Sequence, residues 1–311
     1  MPITKDGPPS LTAGIATILA TVFAMALTDA IVKYSSAAMP LWQIYVLRSL
    51  FVVPVLLFLA RGCVRPAGLG WILLRSLALT LMYLGIYAAV PVLDLSVIAA
   101  SLYTGPLFIV VLSAVVLRER VTVRHWIAIL IGLAGVLLIV RPAASGFTPL
   151  ALVPVAAAFL YAVAAALTRA KCSHVPAFTL ALWLNLTVLA FGILASLLIA
   201  LVADDVRNPY PFLFGPWTRM GGRDMALVAL LAILMIAVSI GLAKAYQSPR
   251  PQVIATFDYA YLAFAALWGF VFFGEIPDSA TLAGMASIAA AGAIVLRGGT
   301  RDERARAPAA R

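Results

Sequence analysis

The sequence predicts an all-α integral membrane protein of ten transmembrane helices, arranged as two inverted five-helix repeats with both termini in the cytoplasm. Three observations predict it. Apolar residues make up 64% of the 311 positions and charged residues only 11%, against about 45–50% and roughly 25% in soluble domains. The apolar residues fall into runs long enough for a bilayer core of about 30 Å, which needs roughly 20 residues of helix. Short pieces of the first half also recur in the second at fixed offsets. The mean hydropathy of +1.07 leaves too little charge to cover a water-facing surface, so most of the exterior must meet lipid.

The predicted spans, in order, are Leu11–Ser35, Leu41–Ala60, Trp71–Val90, Leu95–Leu117, Thr122–Val140, Leu150–Leu167, Ala177–Val202, Met225–Tyr246, Gln252–Phe273 and Thr281–Leu296. Barrel strands are disfavoured because these runs are continuous, whereas lipid-facing strands alternate over about ten residues. The first run is too long for a signal-peptide core and reads as a full span. Connectors are short and marked by Pro or Gly, as at Ala38–Pro40, Arg141–Pro142, Ser248–Pro251 and Gly274–Pro277. The longest is Ala203–Asp224. Residues 11–141 form the first half, 149–297 the second, and 298–311 a basic tail.

Orientation follows from the cations. With the N-terminus inside, five fall on the outer side (Lys33, Arg141, Arg207, Arg219 and Arg223) and 16 on the inner, with Arg48 left inside a span to complete the 22. The excess of Lys and Arg in cytoplasmic loops then puts both ends of the chain in the cytoplasm.

Repeats sharpen the reading. Val97-Ile98-Ala99 recurs as Val253-Ile254-Ala255, and the same offset of 156 carries Tyr103 to Tyr259 and Glu119 to Glu275. Earlier in the halves an offset of 136 carries Phe23 to Phe159, Lys33 to Arg169 and Pro40 to Pro176. A half with an odd number of helices forces its successor to enter the membrane upside down. Inverted repeats of this kind place a substrate site near the midplane and support alternating access.

On these elements the chain resembles the EamA-type branch of the drug/metabolite transporter superfamily. The resemblance rests on the stretch Val97–Pro106, on the acidic closures Leu117-Arg118-Glu119 and Phe273-Gly274-Glu275, and on the Gly-rich fifth helices with Gly132, Gly135, Gly284 and Gly292. It departs at Arg118, where the family has Gly, and at Leu262, which stands where Pro106 would repeat. Asp29-x3-Lys33 followed by Gln43 and Arg48 is similar to bacterial members that move riboflavin, S-adenosylmethionine or related metabolites; the family also contains amino-acid exporters. The resemblance implies secondary active transport of a small charged or zwitterionic metabolite across a bacterial inner membrane.

Charges within spans are the informative exceptions, since each costs at least about 2.5–3.5 kcal/mol at a helix centre. Asp29 and Lys33 share one helix face and are placed to pair. Asp29 and Arg48 lie at similar depth, roughly 13–15 Å below the apex of the first hairpin at 1.5 Å per residue. They read either as a substrate site or as a neutralised pair that fixes packing; the second half carries Ala165 and Leu184 at the matching positions. Asp258 has no cation at helical spacing nearer than Arg250 and is the candidate for proton coupling. Gln43 and the deeper aromatics Tyr83, Tyr103 and Tyr259 complete the candidate substrate-binding set, with Tyr87, Tyr161 and Trp183 as further cavity residues or core. Trp42 and Trp71 read as interfacial anchors, and Glu119 and Glu275 as helix-end groups. The glycines of the fifth helices read as close-packing positions, within one chain or between two copies.

Rival functions find less support. The cations form no stripe for nucleic acid. Cys63, Cys172, His125 and His174 show no metal spacing, and no nucleotide or nucleophile-elbow motif appears, so neither metal nor cofactor is expected. A channel or a membrane-embedded enzyme stays open as an alternative. The expected partners are a small-molecule substrate, membrane lipid and a proton as coupling ion, in a monomer or homodimer.

Overall fold

Apolar runs become helices here for a solvent reason: within lipid a backbone amide finds partners only inside its own segment or in a closed barrel. The computed structural model describes residues 11–60, 64, 66–115, 123–140, 148–172, 174–201, 210–246 and 257–306. Among these residues it is all helix and no strand. The order is α1 (Leu11–Ser35), α2 (Leu41–Leu59), α3 (Leu69–Ala89), α4 (Leu95–Leu102), α5 (Gly105–Val115), α6 (Val123–Val140), α7 (Val153–Lys171), α8 (Ala177–Ala200), α9 (Pro211–Phe214), α10 (Gly222–Tyr246), α11 (Ala260–Phe273) and α12 (Ser279–Arg306), with a 3-10 turn Pro149–Leu152 leading into α7. Six of them, α1, α2, α3, α7 with its 3-10 turn, α8 and α10, contain stretches long and apolar enough to cross a membrane, and shorter apolar stretches lie at Leu95–Ile109 (α4 and the start of α5), Trp126–Val140, Ala260–Phe273 and Ser279–Ile294.

The fourth predicted span is corrected. It is not one helix but two, broken at Tyr103 and Thr104. Pro106 supplies no N–H for Leu102 O and sits in the first turn of α5, where a missing N–H costs no ladder bond, so one helix ends and a second begins there. The freed groups are satisfied locally: the Thr104 hydroxyl donates to Ser101 O at 2.6 Å, and Leu107 N–H to Thr104 O at 2.9 Å. A turn also interrupts the helical residues 257–260 at Tyr259, the position the repeat pairs with Tyr103, although Leu262 there replaces proline. Tyr103 and Tyr259 adopt nearly the same backbone, φ −71°, ψ 4° and φ −62°, ψ −13°. The start predicted for the ninth span at Gln252 lies outside the described residues, as do Glu119 and Arg250. At the far end, α12 carries helix past the predicted Leu296 into the basic tail as far as Arg306.

Packing positions the site. α1 lies between α10 and α11, α3 lies along α7, α2 along α8, and α6 along α12, while α4 touches α11 and α5 touches α7. The α6–α12 seam closes on glycine: a Cβ at Gly135 would stand 2.8 Å from Gly284 O, and one at Gly284 would stand 2.7 Å from Gly135 O. The expected close-packing role of these glycines thus falls on a seam inside one chain. On the outside, Leu130, Leu133 and Leu137 of α6 and Leu194, Leu197 and Leu198 of α8 are exposed. A patch that apolar would aggregate in water; in a bilayer it is the lipid-facing wall.

Candidate functional site

In the middle of the bundle α1, α2, α3 and α11 bring polar side chains together. α1 contributes Asp29, whose Oδ2 accepts the Tyr261 hydroxyl proton of α11 at 2.5 Å. Tyr87 of α3 lies within hydrogen-bonding reach of both the Asp29 carboxylate and the Arg48 guanidinium of α2. Asp29 and Arg48 make no direct ion pair within 4 Å; they attract at longer range and both approach Tyr87. Arg48 is only 1% exposed, lies 5.5 Å from the Tyr45 ring centroid, and keeps its Nε, like the Tyr45 hydroxyl, without a hydrogen-bond partner among the described residues.

Tyrosines wall the cluster on two sides. Tyr83 stacks on Tyr87 with ring centroids 6.1 Å apart and planes at 15°, because the two are one helical turn apart on α3. Tyr45 meets Tyr87 edge-on at 6.0 Å. On the opposite side Tyr103, at the break between α4 and α5, stacks on Tyr261 at 5.3 Å and meets Tyr259 edge-on at 5.1 Å. Tyr103 OH donates to the Asp258 backbone carbonyl at 2.9 Å and lies within reach of its carboxylate. Polar contacts thus run Arg48–Tyr87–Asp29–Tyr261, and the Tyr261 ring stacks on Tyr103, whose hydroxyl in turn reaches Asp258.

Two expected members are placed elsewhere. Lys33 does not pair with Asp29: its ammonium forms an ion pair with Glu275 and donates to Leu93 O at 2.7 Å, with the Phe273 ring 5.1 Å away. The helical spacing to Asp29 loses because Glu275, delivered by the end of α11, lies closer to the tip of a long side chain. Gln43 is 1% exposed and spent on a loop: its amide accepts from Thr218 N–H at 2.9 Å and donates to Thr218 O at 3.0 Å. Asp29, Arg48, Tyr83, Tyr103, Tyr259 and Asp258 of the predicted set do come together.

Sequence reasoning missed Tyr45, Tyr261 and the part-buried Arg75. Tyr45 was within reach, since it precedes Arg48 by three residues and so shares its helix face. Arg75 lies on α3, half-buried, with Nε donating to Thr168 Oγ1 of α7 at 2.6 Å and Nη1 buried without a partner among the described residues.

Known proteins resemble this chain over nearly its whole length. Residues 12–141 match the EamA-like transporter family. A riboflavin transporter of Vibrio cholerae is 27% identical over 92% of this chain and 94% of its own. A pseudopaline exporter of Pseudomonas aeruginosa is 25% identical over 88% and 92%, and an S-adenosylmethionine uptake transporter of Rickettsia bellii 22% over 90% and 92%. One crystal structure of a protein shares the fold with a TM-score of 0.62 at 22% identity, over 94% of this chain and 98% of that one.

Proposed function

We propose, from the premise that residues 12–141 make this chain a member of the EamA-like transporter family, that the protein is a secondary active transporter. It carries a small metabolite across a bacterial inner membrane by alternating access between two inverted five-helix halves. The carrying observation is the central cluster: a buried guanidinium with an unspent Nε, a carboxylate one tyrosine away, and tyrosine walls drawn from both halves. An isolated charge at membrane depth is costly and marks a solute path by default. Arg48 offers a fork to a carboxylate or carbonyl, Asp29 an acceptor to an ammonium or hydroxyl, and the rings a surface for an apolar or planar part.

The packing supports the repeat. Exchange the halves, and the α3–α7 contact becomes α10–α1, while the contact of α7 with α4 and α5 becomes α1 with α11; α2–α8 and α6–α12 map onto themselves. Helices broken at repeat-related tyrosines fit the same scheme, since discontinuous helices flank the midplane site in such carriers. The cation asymmetry supports cytoplasmic termini. Relatives named for uptake and for export both match, so riboflavin, S-adenosylmethionine and pseudopaline define the first test panel.

Counterflow in proteoliposomes tests the proposal. Vesicles loaded with one unlabelled panel compound should take up the labelled compound transiently above equilibrium. A channel equilibrates without overshoot and an enzyme converts the label; either result sinks the transporter reading. Asp258 is proposed as the proton-coupling group, supported by its place beside Tyr103 of the tyrosine cluster.

A further inference from the structure

The ion pair that drew Lys33 away from Asp29 joins three separate pieces of chain at one end of the bundle. Lys33 is one turn beyond Asp29 near the end of α1. Glu275 follows Gly274, whose φ of +68° ends α11 in a left-handed cap that only glycine adopts freely. The cap folds Glu275 back over the helix end, and Gly269 leaves room for it, because a Cβ there would stand 2.7 Å from Glu275 Oε2. Glu275 Oε2 also accepts the Leu95 N–H at 2.9 Å, the first amide of α4, which Asp94 leaves without a side-chain cap. Lys33 Nζ completes the knot by donating to Leu93 O. Both charges are nearly out of solvent, at 12% and 11% exposed.

The two helices gripped by this knot lead straight to the site. α4 runs from Leu95 to Leu102 and hands over to Tyr103; α11 runs from Ala260 and Tyr261 back to Phe273. Each therefore has one end in the tyrosine cluster and the other in the ion pair. The same end of the bundle is strapped by the chain between α8 and α10, where Trp42 Nε1 donates to Leu213 O at 2.8 Å, Thr218 Oγ1 to Ala38 O at 3.0 Å, and Tyr210 OH to Ala88 O.

We infer that Lys33 and Glu275 form the outer gate of the carrier: paired, they hold α1, α4 and α11 together above the site, and parted, they let α4 and α11 swing away from α1 and open the site to the outside. This rests on the transporter reading and on the proposed topology. It differs from a merely structural ion pair in that parting the charges changes access to the site and leaves the fold intact.

The test reads access rather than transport, so it can fail independently of that reading. Ser101→Cys, buried on α4 beside Tyr103, is placed in a background carrying Cys63→Ser and Cys172→Ala. Its reaction with a membrane-impermeant thiol reagent is timed in right-side-out vesicles. Lys33→Met keeps the stem over Phe273 and the Glu275–Leu95 bond while removing the charge. Glu275→Gln keeps an acceptor for Leu95. Each should speed the reaction by roughly 5- to 150-fold, the span of ordinary coupling free energies, with the protein still monodisperse. Lys33→Arg, which keeps the charge and donors for both Glu275 and Leu93 O, should react at a rate near the parent's. Lys33→Met and Glu275→Gln within twofold of the parent, or Lys33→Arg as fast as Lys33→Met, overturn the gate. Loss of counterflow with these rates intact would count against the transporter reading alone.

Discussion

Arg48→Lys isolates what the guanidinium contributes, because it keeps the charge and removes the fork. In the protein Arg48 is fully buried, and its Nε has no acceptor among the described residues. A solute carboxylate or carbonyl arriving beside it would take Nε and one Nη together; an ammonium gives a single point contact. The substitution therefore deletes about one charge-assisted hydrogen bond to substrate, about 1.5–3 kcal/mol. At about 1.4 kcal/mol per factor of ten, affinity should fall roughly 10- to 150-fold. The fold should hold, because Asp29 keeps its bond from Tyr261, and a Tm within about 4 °C of the parent is expected. Arg48→Ala goes further: it leaves Asp29 without its nearest cation and should abolish transport. The assay is equilibrium binding of the transported panel compound to purified protein, with Tm as the control on folding. An Arg48→Lys affinity within threefold of the parent would refute the argument, since the unspent Nε would then have no part in recognition.

Three other outcomes are expected. Asp258→Asn should still exchange substrate across proteoliposomes but no longer accumulate it under an imposed pH difference; retained pH-driven accumulation would remove Asp258 as the coupling group. Gly292→Ala places a Cβ 1.8 Å from the Tyr259 hydroxyl, so the ring must move at a cost of about 1–3 kcal/mol; unchanged transport and Tm would show that Tyr259 is free to shift without consequence. Reporter fusions after Arg311 and within 203–224 should report opposite sides of the membrane, and a common side would undo the inverted repeat.

What could be seen in the sequence, and what could not, divides along a physical line. Apolar runs predicted the helices well because burial in lipid is a property of each segment alone: α1 and α6 begin and end within a residue of expectation. Pro106 was visible too, yet the run around it was read as unbroken, because hydropathy does not register a missing N–H. Fixed helical rise puts Asp29 and Arg48 at one level, but nothing in the local spacing brings Tyr87 of α3 beside both. Lys33 shows the limit most plainly. Local spacing offered it Asp29 four residues away, and the structure gives it Glu275, 242 residues on. Long side chains near helix ends choose among neighbours that only the tertiary packing supplies.

The glycine seam between α6 and α12 sets the reference frame for any motion this protein makes. Each backbone carbonyl there lies 2.7–2.8 Å from where the facing glycine would carry a Cβ, with Ile139, Ser287 and Ile288 packed round the same contact, so a register shift would bring side chains where only glycine now fits. The pair is a strut, unable to shear. α1, α4 and α11, held by an ion pair and tyrosine hydroxyls, have bonds that can be remade after a rigid-body tilt. A second conformation of the chain should therefore superpose most closely on α6 and α12. Spin labels on the lipid faces of those two helices should keep one distance throughout the cycle, while labels on α4 and α11 take two.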